Sequence, residues 1–169
     1  IYLIVFTLFL GVRACALTYV EIGKIGVRYN NAGGLLESDL EPGWHLAVAG
    51  MHKVCQLPAH YIIINYAGSQ RMSIRTEDNN TVEMDISIPY RVIPQEGWMI
   101  MKAGNHLMDG NGNYRFQRFA EQTATSVLRE NLARLRSEDF YNTEKRQAVA
   151  SSTLKILNEP LRDYHLEAS

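Results

Sequence analysis

The sequence predicts an α+β fold that follows an N-terminal membrane anchor. Three patterns predict it: an apolar run over residues 1–12, a two-residue alternation over residues 82–92, and a helical periodicity that begins after residue 113. Because the strand patterns come first and the helical patterns follow, the layout is α+β rather than a parallel sheet with alternating helices. A chain of 169 residues with 46% hydrophobic side chains is long enough to bury a core.

Residues 1–12 predict the anchor, because they are apolar except for Thr7 and end at Arg13. A spanning helix needs about 20 apolar residues, so a signal peptide or a buried core helix is also compatible with this length. A signal peptide should be followed by a cleavage site, and a core helix should show a polar face; neither is present. We expect part of a longer protein whose anchor covers residues 1–17, with a re-entrant segment as the variant. The side chains predicted to meet lipid are Ile1, Leu3, Val5, Phe6, Leu8, Phe9 and Leu10.

Short strands and turns are predicted between the anchor and residue 66. Alternation over residues 19–29 is broken once at Gly23-Lys24, which predicts two strands joined by a turn or bulge. Asparagine and glycine at 30–34 and Pro42-Gly43 predict two turns, since these residues supply the backbone angles that turns require. Further strands are predicted at residues 44–48 and 61–66.

The clearest strand pattern covers residues 82–92, where apolar and polar side chains alternate over the full run. Asp78-Asn79-Asn80 precedes it and predicts a hairpin, because asparagine tolerates left-handed backbone angles. Pro89 lies on the polar face and lacks an amide hydrogen, which predicts an edge strand or a bulge.

Two helices are predicted at the C-terminal side. The first carries apolar residues at helical spacing: Phe116, Phe119, Ala120, Ala124, Val127, Leu128, Leu132 and Leu135. The second begins near Thr143 and carries Val149, Ile156, Leu157 and Leu161, with a kink or weakening expected at Pro160.

Several of these segments together resemble the SPFH or band-seven family, which includes stomatin, prohibitin and flotillin. The resemblance is carried by the stretch 18–34 (TYVEIGKIGVRYNNAGG), by the Pro-Gly turn at 40–46, by Arg75-Thr-Glu-Asp78 ahead of the alternating strand, and by the arginine-bearing helical segments around Arg129 and Arg146. It covers roughly residues 18–167. The chain departs from the family pattern at residues 47–50, where a proline is usual, and at His165, where a glycine is usual.

The resemblance implies two small α+β subdomains, predicted here at residues 18–75 and 76–169, with the second incomplete at its C-terminal end and a coiled coil after it. It also implies a membrane-bound scaffold that forms rings or cages of like or different SPFH subunits. Such assemblies enclose a membrane microdomain and restrain an embedded partner, such as an AAA protease or a channel. The expected partners are therefore membrane lipid, other SPFH subunits and that embedded protein.

Candidate chemistry in the sequence is weak, and we predict no enzyme, metal site or cofactor. The five histidines are not spaced as zinc ligands on a helix, and the loop from Asp109 to Asn113 lacks the glycine and glutamate of a calcium loop. No serine stands in a nucleophile-elbow context. With 17 basic and 18 acidic residues, the chain also lacks the positive surplus that nucleic-acid binding requires. Cys15 and Cys55 are too few for a disulfide framework.

Two hypotheses about function remain at this stage. In the first, subunits of an oligomeric scaffold meet through a possible interface that includes Arg129, Glu130 and Arg134; the alternative for these residues is an ordinary solvated contact within one helix. In the second, the chain is a monomeric membrane-tethered domain that binds a lipid or a peptide. The mass of the assembly in mild detergent distinguishes the two.

Overall fold

The structure is a computed structural model that describes residues 16–169. The side chains predicted to form the membrane anchor, from Ile1 to Leu10, lie outside these residues. Within the described range, no helix is both long enough and apolar enough to cross a membrane. Leu17, at the predicted end of the anchor, opens the first strand.

The described residues form ten strands, three α-helices and two short 3₁₀ helices, Gly68–Gln70 and Ser137–Phe140. The strands are β1 (Leu17–Val20), β2 (Lys24–Asn30), β3 (Gly34–Leu40), β4 (Gly43–Leu46), β5 (His52–Pro58), β6 (Ile62–Tyr66), β7 (Met72–Arg75), β8 (Thr81–Met84), β9 (Ile86–Val92) and β10 (Leu166–Ala168). The helices are α1 (Gly97–Lys102), α2 (Arg115–Leu132) and α3 (Thr143–Arg162). The mixed α/β composition confirms the predicted fold class in its general form.

The chain divides into two compact units. The first contains residues 16–60 and 92–106, and the second contains residues 61–91 and 107–169. Both are therefore assembled from two separate stretches of sequence. The predicted subdomain bounds, 18–75 and 76–169, stay a prediction.

The first unit is built on the antiparallel sheet β3-β2-β5, with β1 and β4 forming a separate two-stranded sheet. Its core contains the fully buried side chains of Val20, Val27, Leu57 and Ile100. Gly26 allows this packing, because a Cβ atom there would lie 2.6 Å from Cγ2 of Val20. The predicted interruption at Gly23-Lys24 is the turn between β1 and β2.

Asp39 of β3 positions α1 in the same unit. Its carboxylate accepts hydrogen bonds from the backbone N–H groups of Gly97 and Trp98, both at 2.8 Å. These N–H groups belong to the first turn of the helix, which has no internal partner for them. Gly97 lies too close to Ile25 and Asp39 for a side chain. A Cβ atom there would lie 2.6 Å from Ile25 and 2.9 Å from the Asp39 carboxylate.

In the second unit, β6 pairs antiparallel with β9, and β7 pairs antiparallel with β8. The long alternating pattern is confirmed as β8 and β9, which are separated at Asp85. The predicted hairpin before β8 is also confirmed, and Asn79 adopts a φ of 66°. Both predicted helices are present as α2 and α3. The apolar stripe of α2 is buried at Phe116, Ala120, Ala124, Leu128 and Leu132.

The prediction that Pro89 marks an edge strand is wrong. β9 lies between β10 and β6, and Pro89 is opposite Ile63 of β6. The Pro89 carbonyl accepts a hydrogen bond from the Ser169 N–H at 3.0 Å. Because the N and C=O of one strand residue point to the same side, the missing donor of Pro89 also faces the β10 side.

α3 continues through Pro160 to Arg162 and is capped at its start by Asn142, whose side chain accepts from the N–H groups of Glu144 and Lys145. The chain leaves this helix through His165, which has a φ of 61°. Of the apolar residues predicted for this helix, Leu157 and Leu161 are buried, but Ile156 is 42% exposed. The elements for which no pattern was recognised in the sequence are α1, β3, β5, β7 and β10.

Neighbouring residues of α3 provide a test of the core. We expect Leu157→Ala to lower the free energy of unfolding by about 2–5 kcal/mol, because the side chain is 2% exposed and its removal leaves a cavity. Ile156→Ala is the matched control, and it should change the free energy by less than about 0.5 kcal/mol because the residue is half in solvent. Urea unfolding of both variants measures the difference, and equal effects would contradict this assignment of the buried face.

Candidate functional site

An exposed apolar surface lies on the small sheet of the first unit. β1 and β4 pair antiparallel so that Leu17 is opposite Leu46 and Tyr19 is opposite Trp44. Because side chains alternate along a strand, these four residues share one face of the sheet. Tyr19, Trp44 and Leu46 are 42%, 68% and 62% exposed. We call these four residues the aromatic face.

The aromatic face is held in place by the core beneath it. Val20 is fully buried, so its neighbour Tyr19 must point in the opposite direction. The rings of Tyr19 and Trp44 lie 5.3 Å apart between centroids with an angle of 52° between their planes. This tilted contact orients both rings, and the exposed side chains form a contiguous apolar surface of the kind that marks protein or membrane contacts.

The second unit contains a groove of about 720 Å³. Its floor includes Leu128 and Leu132 of α2 and Leu157 of α3, all buried. One wall is formed by β8 and the first residues of β9, which contribute the half-buried side chains of Val82, Met84 and Ile86. The polar residues at the groove include Glu83, Asp85, Asp139 and Arg146. We call this feature the strand groove.

Asp78 joins the hairpin between β7 and β8 to the segment after α2. Its carboxylate accepts hydrogen bonds from the Ser137 hydroxyl and N–H, from the Thr76 hydroxyl at 2.6 Å and from the Asn80 side-chain amide at 2.8 Å. The hydrogen bond from the Ser137 side chain, followed by that from Thr76, holds the pKa of Asp78 well below its usual range. Its partners lie in the connection between β7 and β8 and at the start of the 3₁₀ helix Ser137–Phe140, so its evident role is to fix the hairpin against that helix.

The residues predicted for a subunit interface lie on the exposed surface of the second unit. Arg134 pairs with Glu130 at 2.6 Å, and both side chains are about two-thirds exposed. Arg129 borders a small polar hollow together with Glu121 and Thr125. The Arg134–Glu130 pair is therefore the ordinary solvated contact within one chain that the sequence left open as the alternative. A role of these residues in subunit assembly stays a prediction.

The residues considered for metal binding make local contacts. Within residues 16–169, no three His, Cys, Asp or Glu side chains are grouped to hold a metal ion. Nε2 of His45 lies 2.6 Å from the Glu41 carbonyl, and Nδ1 of His52 accepts from the Val48 N–H at 3.1 Å. Asp109 accepts from the N–H groups of Asn111 and Asn113, which closes its own turn.

Sequence comparison identifies the family. The SPFH domain / Band 7 family matches residues 18–169, which is nearly all of the described range. The chain belongs to this family. No curated protein matches the sequence at a significant level. The resemblance predicted from the turn motifs and the helical segments is therefore confirmed at the level of the family.

SPFH proteins are associated with membranes, generally form oligomers there and are generally scaffolds rather than enzymes. The SPFH domain described here presents two surfaces that sequence reasoning missed, namely the aromatic face and the strand groove. The sequence did contain a strand pattern for the aromatic face, since Tyr19, Trp44 and Leu46 belong to predicted strands. Their exposure was not predictable, because it depends on which face of each strand is buried.

The Asp78 hydrogen bonds predict a pH-dependent stability. A depressed pKa in the folded state contributes stability that is present above the unfolded value of about 4 and is lost as the pH falls further. We therefore expect Asp78→Asn to destabilise the domain at pH 7, and we expect the difference from the unmodified chain to shrink between pH 4 and pH 3. Urea unfolding at both values measures this.

Glu159→Gln is the control for this measurement, because it removes an exposed carboxylate from α3 and should change stability by less than about 0.5 kcal/mol at either pH. A difference for Asp78→Asn that stays constant from pH 7 to pH 3 would show that its carboxylate charge does not stabilise the hairpin.

Proposed function

We propose that this SPFH chain is the membrane-proximal part of an anchored, oligomeric scaffold. Its assembly forms a large ring or cage that organises a membrane microdomain and regulates an embedded partner, such as a membrane protease or a channel. The chain itself carries no catalytic group in this proposal. The observation that carries the proposal is the aromatic face, together with the apolar segment that directly precedes it in the sequence.

Chain length supports this placement near the bilayer. The apolar run ends at Val12, and β1 begins at Leu17, five residues later. A fully extended chain spans at most about 3.4 Å per residue, so Leu17 lies within about 17 Å of Val12. If residues 1–12 are in the hydrocarbon layer, the aromatic face is therefore within reach of the headgroup region, where tryptophan and tyrosine are enriched in membrane proteins.

Assembly in the membrane follows from weak contacts that are repeated. An exposed ion pair such as Arg134–Glu130 contributes at most about 1 kcal/mol. Anchoring confines subunits to a plane and raises their effective concentration, so that weak contacts suffice. A closed ring requires each subunit to present two different surfaces to its neighbours. A monomeric tethered domain that binds a lipid or a peptide is the alternative.

The two tryptophans provide a test of membrane contact. In Trp98→Phe the only tryptophan is Trp44, and in Trp44→Phe the only one is Trp98. We expect lipids brominated near the headgroup end of the acyl chain to quench Trp44 strongly, because 68% of that residue is exposed on the aromatic face. Trp98, whose indole lies 5.3 Å from the Lys102 ammonium in α1, should be quenched little. Equal quenching of both, or none of Trp44, would contradict contact between the aromatic face and lipid.

The assembly itself is tested by comparing two proteins. We expect the full-length protein in mild detergent to scatter light as a large assembly of many subunits, and we expect residues 16–169 in buffer to remain a monomer or dimer. A monomeric full-length protein would favour the tethered-domain alternative. A large ring formed by residues 16–169 would show that the assembly contacts lie within the two units rather than depending on the anchor or on other parts of the protein.

A further inference from the structure

The outward face of α2 carries arginine and no carboxylate. A helix turns by about 100° per residue, so positions three or four apart share one face. Five residues of α2 follow this spacing on the side opposite the buried stripe, and all five are exposed: Arg115, Arg118, Gln122, Ser126 and Arg129. We call these five residues the arginine face.

The guanidinium groups of the arginine face have no acidic partner in the part of the chain that the structure describes. Arg115, Arg118 and Arg129 form no ion pair with any of residues 16–169. Arg134, which lies beyond the end of α2, is by contrast paired with Glu130 at 2.6 Å. Three positive charges are therefore presented along one helix face without compensation by neighbouring side chains.

The surroundings of α2 leave this face uncompensated. The hydroxyl of Tyr66 in β6 donates to the Glu121 carbonyl at 3.3 Å and meets the Thr125 hydroxyl at 2.7 Å, so the side of α2 that carries Glu121 is turned toward the sheet. On another side, the rings of Phe119 and Tyr164 stack with 5.1 Å between centroids, which places the chain after α3 beside the first turns of α2. No ion pair joins α2 to α3 among the described residues.

The geometry of the arginine face suits a row of carboxylates. Arg115 and Arg118 are neighbours on the helix surface, about 5–6 Å apart at Cβ, and alternate side chains of an extended peptide are spaced about 7 Å apart. Arg129 lies about 17 Å further along the helix axis than Arg118. The amide of Gln122 and the hydroxyl of Ser126 lie between them and can donate hydrogen bonds. The face therefore spans about 21 Å, the length of about six or seven extended residues.

A carboxylate-bearing peptide fits this face better than a bilayer does. A helix that lies on a membrane buries its apolar side in the interface, but in α2 that side is already buried in the core at Phe116, Ala120 and Ala124. Guanidinium groups bind carboxylates through two parallel hydrogen bonds, which gives such contacts a defined geometry as well as charge attraction.

A second copy of the chain offers a poorer match. Its exposed carboxylates that make no ion pair with any of residues 16–169 include Glu77, Glu83 and Glu144. These three residues belong to a turn, a strand and a helix, respectively. They do not form one row that could follow the length of α2.

We infer that the arginine face binds an acidic segment of a partner polypeptide, whose carboxylates meet the guanidinium groups of Arg115, Arg118 and Arg129. Recognition of acidic segments by groups of arginines is a general mode of peptide binding. The surface is the place where the proposed scaffold holds a client, so the inference rests on that function for its biological role. Binding through exposed charges is weak for each pair and depends on salt.

Fluorescence anisotropy on the full-length protein in a neutral detergent tests this inference. The probe is a labelled peptide of about eleven residues in which glutamate alternates with serine and threonine; its matched control has glutamine in place of every glutamate. We expect the glutamate peptide to bind saturably. The glutamine peptide should bind at least about tenfold more weakly, because a neutral amide forms no charge-assisted pair with a guanidinium group. Binding should also weaken as the salt concentration rises from about 0.05 M to about 0.5 M.

Protein variants locate the site. Arg118→Glu should weaken binding of the glutamate peptide by about tenfold at low salt, because an attraction becomes a repulsion. Arg118→Lys keeps the charge but loses the two parallel hydrogen bonds, and it should weaken binding by about threefold. Arg75→Glu makes the same charge reversal at an exposed arginine of β7 and is the control, which should leave binding nearly unchanged.

Three results would overturn the inference. The first is equal binding of the two peptides, or equal effects of Arg118→Glu and Arg75→Glu. The second is displacement of the glutamate peptide by soluble dihexanoyl phosphatidylserine at a lower concentration than that of unlabelled peptide, because the face would then prefer an anionic lipid. The third is a smaller assembly of Arg118→Glu in the absence of peptide, because the face would then meet a second copy of the chain.

The same measurements keep the inference separate from the scaffold proposal. Light scattering of the peptide-free, unmodified protein reports assembly, whereas anisotropy reports binding of the acidic peptide. A monomeric full-length protein that binds the glutamate peptide through Arg118 would contradict the scaffold and support the arginine face. A large assembly that binds neither peptide would support the scaffold and contradict the arginine face.

Discussion

The burial of one stripe of α2 is the constraint on which the second unit depends. Phe116, Ala120 and Ala124 are fully buried, and Leu128 and Leu132 continue the stripe toward the C-terminal end of the helix. The small alanines allow close approach, and the hydroxyl of Tyr66 in β6 meets that of Thr125 at 2.7 Å. This packing brings α2 against the sheet. The last two leucines of the stripe line the floor of the strand groove.

A comparable constraint determines the aromatic face in the first unit. β1 is four residues long, and Val20 must enter the core together with Val27 and Leu57. Because successive side chains of a strand point to opposite faces, Tyr19 faces outward, and Trp44 and Leu46 of β4 lie on the same face. β1 thus carries an apolar outer face that is exposed to water in the isolated domain. In the proposed function, contact with a bilayer surface would remove this exposure.

The two surfaces have different chemistry. The aromatic face is dominated by the rings of Tyr19 and Trp44, as expected for an interfacial membrane contact. The strand groove combines an apolar floor with the carboxylates of Glu83, Asp85 and Asp139. Charged turn residues stabilise the region around the groove: Asp78 holds the hairpin before β8, and Asp139 pairs with Lys145 at the start of α3.

The sequence by itself determined the fold class, the long alternating strand, the hairpin at Asn79, both long helices and the family, because each depends on a local period or on a local turn residue. It did not reveal β3, β5 or β7, whose patterns are short, nor α1, which is held by the Asp39 carboxylate from a distant strand. It misplaced Pro89, because β9 pairs with β6 on one side and with β10 on the other, and β10 comes from a distant part of the sequence. The two candidate surfaces were likewise decided by tertiary structure. The exposure of Trp44 and the lining of the strand groove depend on which residues fold against them, and those residues are far apart in the sequence.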